Sequence, residues 1–247
     1  MSELSKALQS RVSATTAQLS AALAEFKNVC YANSLGPESM VLTDLIWGSA
    51  ATATLSATAF ANIEIFTVDT GRLYPETYDL IERVQKRYQR ALRIYYPDAG
   101  ELEGWVGANG INGFRDGIDQ RHGCCAIRKV EPFRRAVSGS DAWVTGIRRG
   151  QSAGRATAAP VAWDSEYGLH KVSPLLDWTE KEVWEYIRRK RLPYNTLHDR
   201  GFPSIGCAPC TRAVQPGDDQ RSGRWWWERS ESRECGLHPR HQVGFSK

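Results

Sequence analysis

The sequence lacks a long hydrophobic run, because no stretch approaches the roughly 18 apolar residues of a membrane-spanning helix. Residues 1–28 are amphipathic and contain no continuous apolar core, so we expect no secretory signal peptide. The net charge is only +4, which does not indicate a nucleic-acid-binding protein. Internal repeats and low-complexity linkers are also absent. We therefore expect a cytoplasmic protein that binds neither membranes nor nucleic acids.

The two common glycine-rich phosphate loops are missing as well. The segment SLGPES at 34–39 matches neither GxxxxGK[ST] nor GxGxxG. It follows a β-prone stretch at 28–33 and precedes an apolar helical stretch at 40–55, and a strand–turn–helix unit offers backbone N–H groups to an anion. Ser34 and Gly36 are therefore candidate phosphate-binding residues, although a plain turn between a strand and a helix fits the same letters.

Hydrophobic periodicity predicts an α/β protein. The predicted helices are 4–27, 40–55, 75–90, 126–137 and 180–190, and Thr179 with Glu182 forms a capping box before the last one. The predicted strands are 28–33, 63–68, 92–96, 142–147 and a pair within 161–173. This alternation predicts a doubly wound, mostly parallel sheet with flanking helices, whose ligands bind at the carboxyl ends of the strands.

Polar loops follow three of the predicted strands. Besides SLGPES, these loops are DTGR, with Asp69, Thr70, Gly71 and Arg72, and RRGQSAGRA, with Arg148, Arg149 and Arg155. Because strand ends in a parallel sheet lie at one edge, we expect the first two loops to share a site. Arginine grips phosphate and sulfate through two parallel hydrogen bonds, so the third loop is a candidate anion contact. A solvated, mobile loop is the alternative.

Four of the six cysteines form two close pairs. Cys124 and Cys125 are adjacent, whereas Cys207 and Cys210 form a CxxC. Four thiolates in two groups suit either a structural zinc ion or a [4Fe–4S] cluster. Neighbouring side chains diverge, and a large cluster tolerates that divergence better than one ion does. Zinc and uncoordinated core thiols remain alternatives, and Lys129, one helical turn on, is expected near the pair.

The fifth cysteine of interest, Cys235, stands alone near the end of the sequence. The basic side chains around it, Arg233, His238 and Arg240, favour the thiolate over the thiol. A thiolate is a nucleophile, so Cys235 is a candidate catalytic residue. A disordered tail with an incidental cysteine is the alternative. The sixth, Cys30, is expected to be a buried strand residue.

Seven segments occur in the order that characterises one enzyme family. They are SLGPESMVLTDLI, TVDTGRLYPETYDLI, CCAIRKVEPFRRAV, WVTGIRRGQSAGRA, GCAPCTR, GRWWWE and ECGLH, which together span about 30 to 238. The chain thereby resembles the assimilatory adenylyl-sulfate (APS) reductases. These belong with the 3′-phosphoadenylyl-sulfate (PAPS) reductases of the adenine-nucleotide α-hydrolase-like fold. One difference is VDTGR in place of the commoner LDTGR.

The resemblance implies an activity, a cofactor and a partner. It implies thioredoxin-dependent reduction of APS to sulfite and AMP through an S-sulfocysteine intermediate, in sulfate assimilation and cysteine biosynthesis. The implied cluster, one [4Fe–4S] per subunit, would be bound by Cys124, Cys125, Cys207 and Cys210. The implied catalytic residues are Cys235 and His238. The implied substrate contacts are Ser34, Gly36, Asp69, Thr70, Gly71, Arg72, Lys129, Arg148, Arg149, Arg155, Arg221 and Arg224. The family also tends to self-associate, so we expect a homo-oligomer.

Three competing interpretations remain open. A PAPS reductase would need room for a 3′-phosphate, but members with that specificity lack both cysteine pairs, which favours APS. A PP-loop enzyme of tRNA thiolation usually carries SGGxDS, which SLGPES does not match. A nucleotide-binding module stabilised by zinc would be colourless, whereas a protein with an iron–sulfur cluster is brown.

The sequence also predicts two regions. We expect an α/β domain over 1–219 and, over 220–247, a tail that closes over the substrate. The three tryptophans at 225–227 either pack this tail onto the domain or stack on a nucleotide.

Overall fold

The computed structural model describes residues 4–48, 60 and 63–228, and a six-stranded sheet lies at its centre. The strands are β1 (Val29–Ala32), β2 (Glu64–Val68), β3 (Arg93–Tyr95), β4 (Ala142–Val144), β5 (Val161–Asp164) and β6 (Leu169–Val172). The helices are α1 (Lys6–Glu25), α2 (Pro37–Trp47), α3 (Pro75–Tyr88), α4 (Ala99–Asn109), α5 (Ile118–Cys125), α6 (Glu131–Val137) and α7 (Glu180–Lys190).

The strand order β3-β2-β1-β4-β6-β5 confirms the doubly wound architecture. Strands β3, β2, β1, β4 and β6 pair in parallel, and only β5 is antiparallel, to β6. The chain builds outward from β1 through β2 to β3 and then crosses to β4 on the other side of β1. The sheet therefore has its topological switch point between β1 and β4, where folds of this kind bind ligands.

Both faces of the sheet are covered, because its central strands are almost wholly apolar. Tyr31 packs into the larger core, with Val144, while the adjacent Cys30 packs into a second core with Phe66 and Trp143. Successive strand residues point to opposite faces, so a run without polar alternation must be buried on both sides. No helix among the described residues is long and apolar enough to cross a membrane.

Most predicted elements are confirmed, with shifted ends. The helix predicted at 40–55 begins at Pro37. Proline suits this position because the N–H groups of a first helical turn have no partner within the helix. The predicted part of this helix beyond 48 lies outside the described residues. The capping box is present, because Thr179 Oγ1 accepts a hydrogen bond from the Glu182 backbone N–H at 3.2 Å. The strands at 92–96 and 142–147 are shorter than predicted, at three residues each.

The helix predicted at 126–137 has an irregular first half. Residues Ala126–Val130 form a π-helix between α5 and α6, and the Glu131 N–H donates to the carbonyl of Ala126, five residues back. Pro132 supplies the reason, because it has no N–H for the carbonyl of Arg128, and its ring would clash with that carbonyl in an α-helix. The π-helix directly follows the cysteine pair that ends α5.

The last described residues fold back on the loop between Cys207 and Cys210. Thr211 and Arg224 form an antiparallel bridge, and the Trp225 N–H donates to the Cys210 carbonyl at 3.1 Å. Trp225 is only 2% exposed, as expected if these tryptophans pack the end of the chain onto its domain. The domain boundary at 219/220 stays a prediction, and Cys235 and His238 lie outside the described residues.

Candidate active site

A cavity of about 870 Å³ lies at the carboxyl ends of β1, β2 and β4. Its wall includes residues 33–38 after β1, Thr70 and Arg72 after β2, and residues 145–148 after β4. The four paired cysteines and residues 214–218 also line this cavity. The structure thus brings the predicted loops and the predicted metal ligands to one site at the switch point.

The loop after β1 is rigid, and its unusual residue is a leucine. Leu35 has a left-handed φ of 60°, and its N–H donates to Asn33 Oδ1 at 2.8 Å. The hydroxyls of Ser34 and Ser39 lie 2.9 Å apart, which closes the loop onto the first turn of α2. Gly36 has an ordinary φ of −80°, so the turn does not depend on its being glycine. Ser34 and Gly36 both line the cavity beside the amino end of α2.

Two residues of the loop after β2 determine its conformation, and two others line the cavity. Asp69 is buried, and its Oδ1 accepts hydrogen bonds from the Gly71 N–H at 2.7 Å and the Tyr78 hydroxyl at 3.1 Å. Gly71 has a φ of +71°, which favours glycine. Neither lines the cavity, whereas Thr70 and Arg72 do. Burial and the nearby Asp69 carboxylate raise the pKa of Tyr78 to about 12, so it stays a hydrogen-bond donor.

The loop after β4 brings two of its three predicted arginines to the cavity. Arg148 Nε lies 2.7 Å from Glu38 Oε1 in a buried ion pair, and Arg155 contacts Gln151. Arg149 instead pairs with Asp177 and is not part of the cavity wall. The buried Glu38 partner was not expected from the sequence, and it holds Arg148 against the amino end of α2.

The four paired cysteines form one neighbourhood. Cys124 and Cys210 are buried with Phe114 and Trp225, and Cys207 Sγ lies 3.2 Å from Thr70 Oγ1. Burial and, to a smaller extent, the nearby Cys207, Cys125 and Cys124 raise the pKa of Cys210 to about 12, while the Arg224 guanidinium opposes that rise. Among residues 4–48, 60 and 63–228, no three His, Cys, Asp or Glu side chains are arranged to hold a single metal ion.

Arginines surround the cysteines, and one of them was not predicted. Arg128 is buried, and its Nη1 donates to the Thr70 carbonyl at 2.8 Å. Burial raises the pKa of Cys124, while the Arg128 guanidinium opposes that rise. The spacing of four residues between Cys124 and Arg128 on one helical run was the available signal. The predicted neighbour, Lys129, also lines the cavity.

Arg221 and Arg224, both predicted substrate contacts, lie in the cavity wall. Arg224 is 8% exposed, and its guanidinium carbon lies 4.8 Å from the Trp225 ring centre. Its buried Nε has no hydrogen-bond partner among the described residues. A Cβ atom on Gly206 would lie 2.3–2.7 Å from that guanidinium. Gly206 is therefore required for Arg224 to occupy its present place.

His198 is another cavity residue that the sequence did not single out. It lines the wall and packs edge-on against Trp184, with ring centres 5.3 Å apart. Burial lowers the pKa of His198, despite a backbone hydrogen bond to Phe202 and nearby acidic groups that favour the charged form. No motif distinguishes this histidine from the others in the sequence.

A buried ion pair fixes the end of the described chain to the cysteine helix. Arg121 Nε lies 2.5 Å from Glu228 Oε1, with side chains only 3% and 8% exposed. The Arg121 guanidinium carbon also lies 4.5 Å from the Trp225 ring centre. Arg121 stands one helical turn before Cys124, so the root of the segment that leads to Cys235 rests beside the cysteines.

Comparison with known proteins places this architecture in a family. The model of the phosphoadenosine phosphosulfate reductase domain matches residues 28–213. Adenosine 5′-phosphosulfate reductase of Allochromatium vinosum is 46% identical over 233 residues, which cover 94% of this chain and 87% of that protein. The protein of the same name from Burkholderia cepacia is 42% identical over 236 residues, or 94% and 90% of the two chains.

A solved structure agrees with these sequence matches. The phosphoadenylyl-sulfate reductase of Candida auris, in a phosphate complex, has a TM-score of 0.66 at 26% identity and covers 86% of this chain and 99% of its own. Family model, relatives and fold thus point the same way as the seven sequence segments. The chain belongs to the phosphoadenosine phosphosulfate reductase family.

Proposed function

We propose that this protein reduces adenylyl sulfate to sulfite and AMP in sulfate assimilation. The observation that carries the proposal is that four cysteines form one wall of the cavity that also holds the β1 loop and several arginines. The relatives named adenosine 5′-phosphosulfate reductase, at 42–46% identity, support the same substrate. An arginine-lined cavity at the switch point of an α/β sheet suits a nucleotide with a sulfate on its phosphate.

The first half-reaction transfers the sulfo group to the protein. Sulfate bonded to phosphate is an activated sulfur electrophile with AMP as its leaving group. The Cys235 thiolate attacks that sulfur, so that an S–S bond forms as the S–O bond to AMP breaks, giving S-sulfocysteine. Cys235 is seven residues after Glu228, and seven residues span at most about 25 Å. The cavity wall near Trp225 is well within that distance, and His238 would assist as a cationic neighbour.

The second half-reaction needs an external dithiol. Cys235 has no other cysteine beside it in residues 229–247. One thiolate of a reduced dithiol protein, for which we propose thioredoxin, attacks Cys235 Sγ, and sulfite leaves with the electron pair of the broken S–S bond. The partner's second thiol then resolves the mixed disulfide. Two electrons thus pass from the dithiol to the sulfo sulfur, and the partner becomes a disulfide.

The chain's own residues bind and orient the anionic substrate. Ser34 and the amino end of α2 suit the phosphate, because backbone N–H groups there attract negative charge. Arg221, Arg224 and Lys129 line the same cavity as this loop and the cysteines, so we assign them to the phosphate and sulfo oxygens of the substrate. Their positive charges would stabilise the AMP leaving group and hold the sulfur open to attack.

The four cysteines fit a [4Fe–4S] cluster, which we propose as the cofactor, one per subunit. Four sulfur donors, an apolar shell of Phe114 and Trp225, and the buried cation of Arg128 suit an anionic cluster. When bound, the cluster supplies local negative charge that would orient the surrounding arginines. Zinc bound by the same thiols is the second candidate. A colourless purified protein would support zinc, whereas a brown one would support the cluster. A cytoplasmic location and a homo-oligomer stay predictions.

The ligand assignment predicts a loss of iron in one variant and not in its control. Cys207→Ala should lose most of the protein-bound iron, since a cluster with three thiolates is poorly held. Cys30→Ala should keep its iron, because Cys30 is buried on β1 away from the other cysteines. Iron and acid-labile sulfide, measured per chain after anaerobic purification, check both. Full iron in Cys207→Ala would rule out Cys207 as a ligand.

Gly206→Ala tests Arg224 as a substrate contact. The added Cβ would displace the Arg224 guanidinium, a flexible group, so the cavity should change more than the fold. Losing a hydrogen bond to a charged group costs about 1.5–3 kcal/mol, so we expect the Kd for AMP to rise at least roughly tenfold. Calorimetric titration measures this Kd. The matched control is Gly104→Ala, whose Cβ would meet no atom within 4 Å. Equal AMP affinity in both variants would contradict the contact.

One experiment tests the proposed function directly. Anaerobic protein is mixed with sulfur-labelled APS without reductant, and label is sought on the Cys235 peptide. Label on that peptide, released as sulfite by reduced thioredoxin, is the expected result. Label from PAPS but not from APS would assign the chain the specificity of the Candida auris relative. No label from either would refute Cys235 as the nucleophile.

A further inference from the structure

Two exposed isoleucines lie near the residues that contact Trp227. Ile111 is 65% exposed and Ile118 is 46% exposed, and both flank the short segment that carries Phe114 and Arg115. We call Ile111, Arg115 and Ile118 the tail-root surface. Large apolar side chains left in water beside a functional site commonly mark a surface that another molecule covers.

Three contacts fix the end of the described chain to this surface. The ring centres of Phe114 and Trp227 lie 5.8 Å apart, and the Arg115 guanidinium carbon lies 5.6 Å from the same Trp227 ring. Arg121 pairs with Glu228 at 2.5 Å. Arg115 also donates to the Pro209 carbonyl, at 3.4 Å, within the CxxC loop. The segment leading to Cys235 therefore starts from the tail-root surface.

The distance to Cys235 limits where its reductant can dock. Cys235 is seven residues after Glu228, so the two Cα atoms stay within about 25 Å of each other in any conformation. A dithiol protein must bring its own sulfur onto that atom, so it must contact this enzyme inside the same radius. Ile111 and Ile118 each lie three residues from Phe114 or Arg115, whose side chains contact Trp227, so both fall inside this radius.

We propose that the tail-root surface is the docking surface for the dithiol protein that reduces the Cys235 adduct. This inference rests on the proposed function. In the docked complex the partner's thiolate forms a bond to Cys235 Sγ as sulfite leaves, and its second thiol then takes over the disulfide. The partner fits if the surface around its reactive cysteine is apolar. Arg115 is already engaged by Trp227 and Pro209, so apolar contact rather than charge pairing provides the affinity.

The test separates docking from chemistry. The Ile111→Ser, Ile118→Ser double variant is compared with Val161→Ser, Trp163→Ser on β5, where two apolar side chains are 38% and 58% exposed. Three strands separate β5 from β2, whose following loop contacts Ile111. For each protein we would measure the rate of adduct formation from APS, sulfite release by dithiothreitol, and the KM for reduced thioredoxin.

The expected result is a KM for thioredoxin about tenfold higher in the isoleucine variant alone, with adduct formation and dithiothreitol release unchanged. An unchanged KM would overturn the docking surface, and so would an equal rise in the β5 variant. A slower adduct step in the isoleucine variant would also overturn it, since the residues would then act before the partner arrives. Failure of the wild-type protein itself to form the adduct would instead refute the proposed function, and this inference with it.

Discussion

Cys235→Ser is expected to form no detectable sulfite from APS and thioredoxin. A serine hydroxyl is scarcely ionised near neutral pH, so the variant has no strong nucleophile to attack the sulfo group. Loss of a catalytic nucleophile lowers turnover by a factor on the order of 10⁴ or more. Sulfite formation under anaerobic conditions measures the loss. AMP binding should persist, because the substitution exchanges one sulfur for oxygen and leaves the proposed phosphate-binding residues unchanged.

The matched control for that variant is Cys30→Ala. Burial raises the pKa of Cys30 to about 11, so this thiol stays protonated and takes no part in catalysis. Its replacement should leave turnover within a small factor of the wild-type value. Sulfite formation by Cys235→Ser at a rate comparable with the control would exclude the covalent mechanism. Loss of AMP binding in Cys235→Ser would show that its inactivity has another origin.

Glu228→Ala is expected to destabilise the fold strongly. The substitution leaves the Arg121 guanidinium buried without its partner, which costs about 3–5 kcal/mol in the free energy of unfolding. Anaerobic urea titration measures that free energy. Arg121→Met combined with Glu228→Leu should recover much of the loss, because apolar side chains of similar volume replace a buried ion pair at little cost.

An exposed ion pair provides the control for Glu228→Ala. Arg134 Nη2 lies 2.8 Å from Glu166 Oε1, but the two side chains are 61% and 41% exposed. Glu166→Ala should therefore cost only about 0–1 kcal/mol. Equal effects of Glu228→Ala and Glu166→Ala would mean that the Arg121 pair does not hold the chain end in place.

Much of the fold was predictable because local patterns determine it. The apolar runs that become β1, β2 and β4 indicated strands, and Thr179 with Glu182 marked the start of α7. Loops at the ends of these strands then had to share one edge of the sheet. The loops and cysteines that belong to the site were predictable in the same way, but the distances and contacts between their side chains were not.

The remaining details depend on partners far away in the sequence. Arg148 faces the cavity because it pairs with Glu38, 110 residues earlier, whereas Arg149 turns away towards Asp177. Arg128 reaches the Thr70 carbonyl, 58 residues earlier. No local spacing reveals such pairs, since each forms only when the sheet has placed its loops. The roles of individual residues in substrate binding therefore stay predictions that the variants above would test.

The π-helix after the cysteine pair has a consequence for the direction of the two thiols. A π-turn contains one residue more than the α-helical turn that it replaces, so it absorbs one residue without rotating the helices on either side. Replacing Pro132 by alanine would remove the block to α-helical hydrogen bonding and let α5 and α6 join as one continuous α-helix of the same length. Each residue turns an α-helix by about 100°, so Cys124 and Cys125 would then rotate by that angle relative to α6. A substitution seven residues after Cys125 would thus turn both thiols away from Cys207 and Cys210 without changing any cysteine.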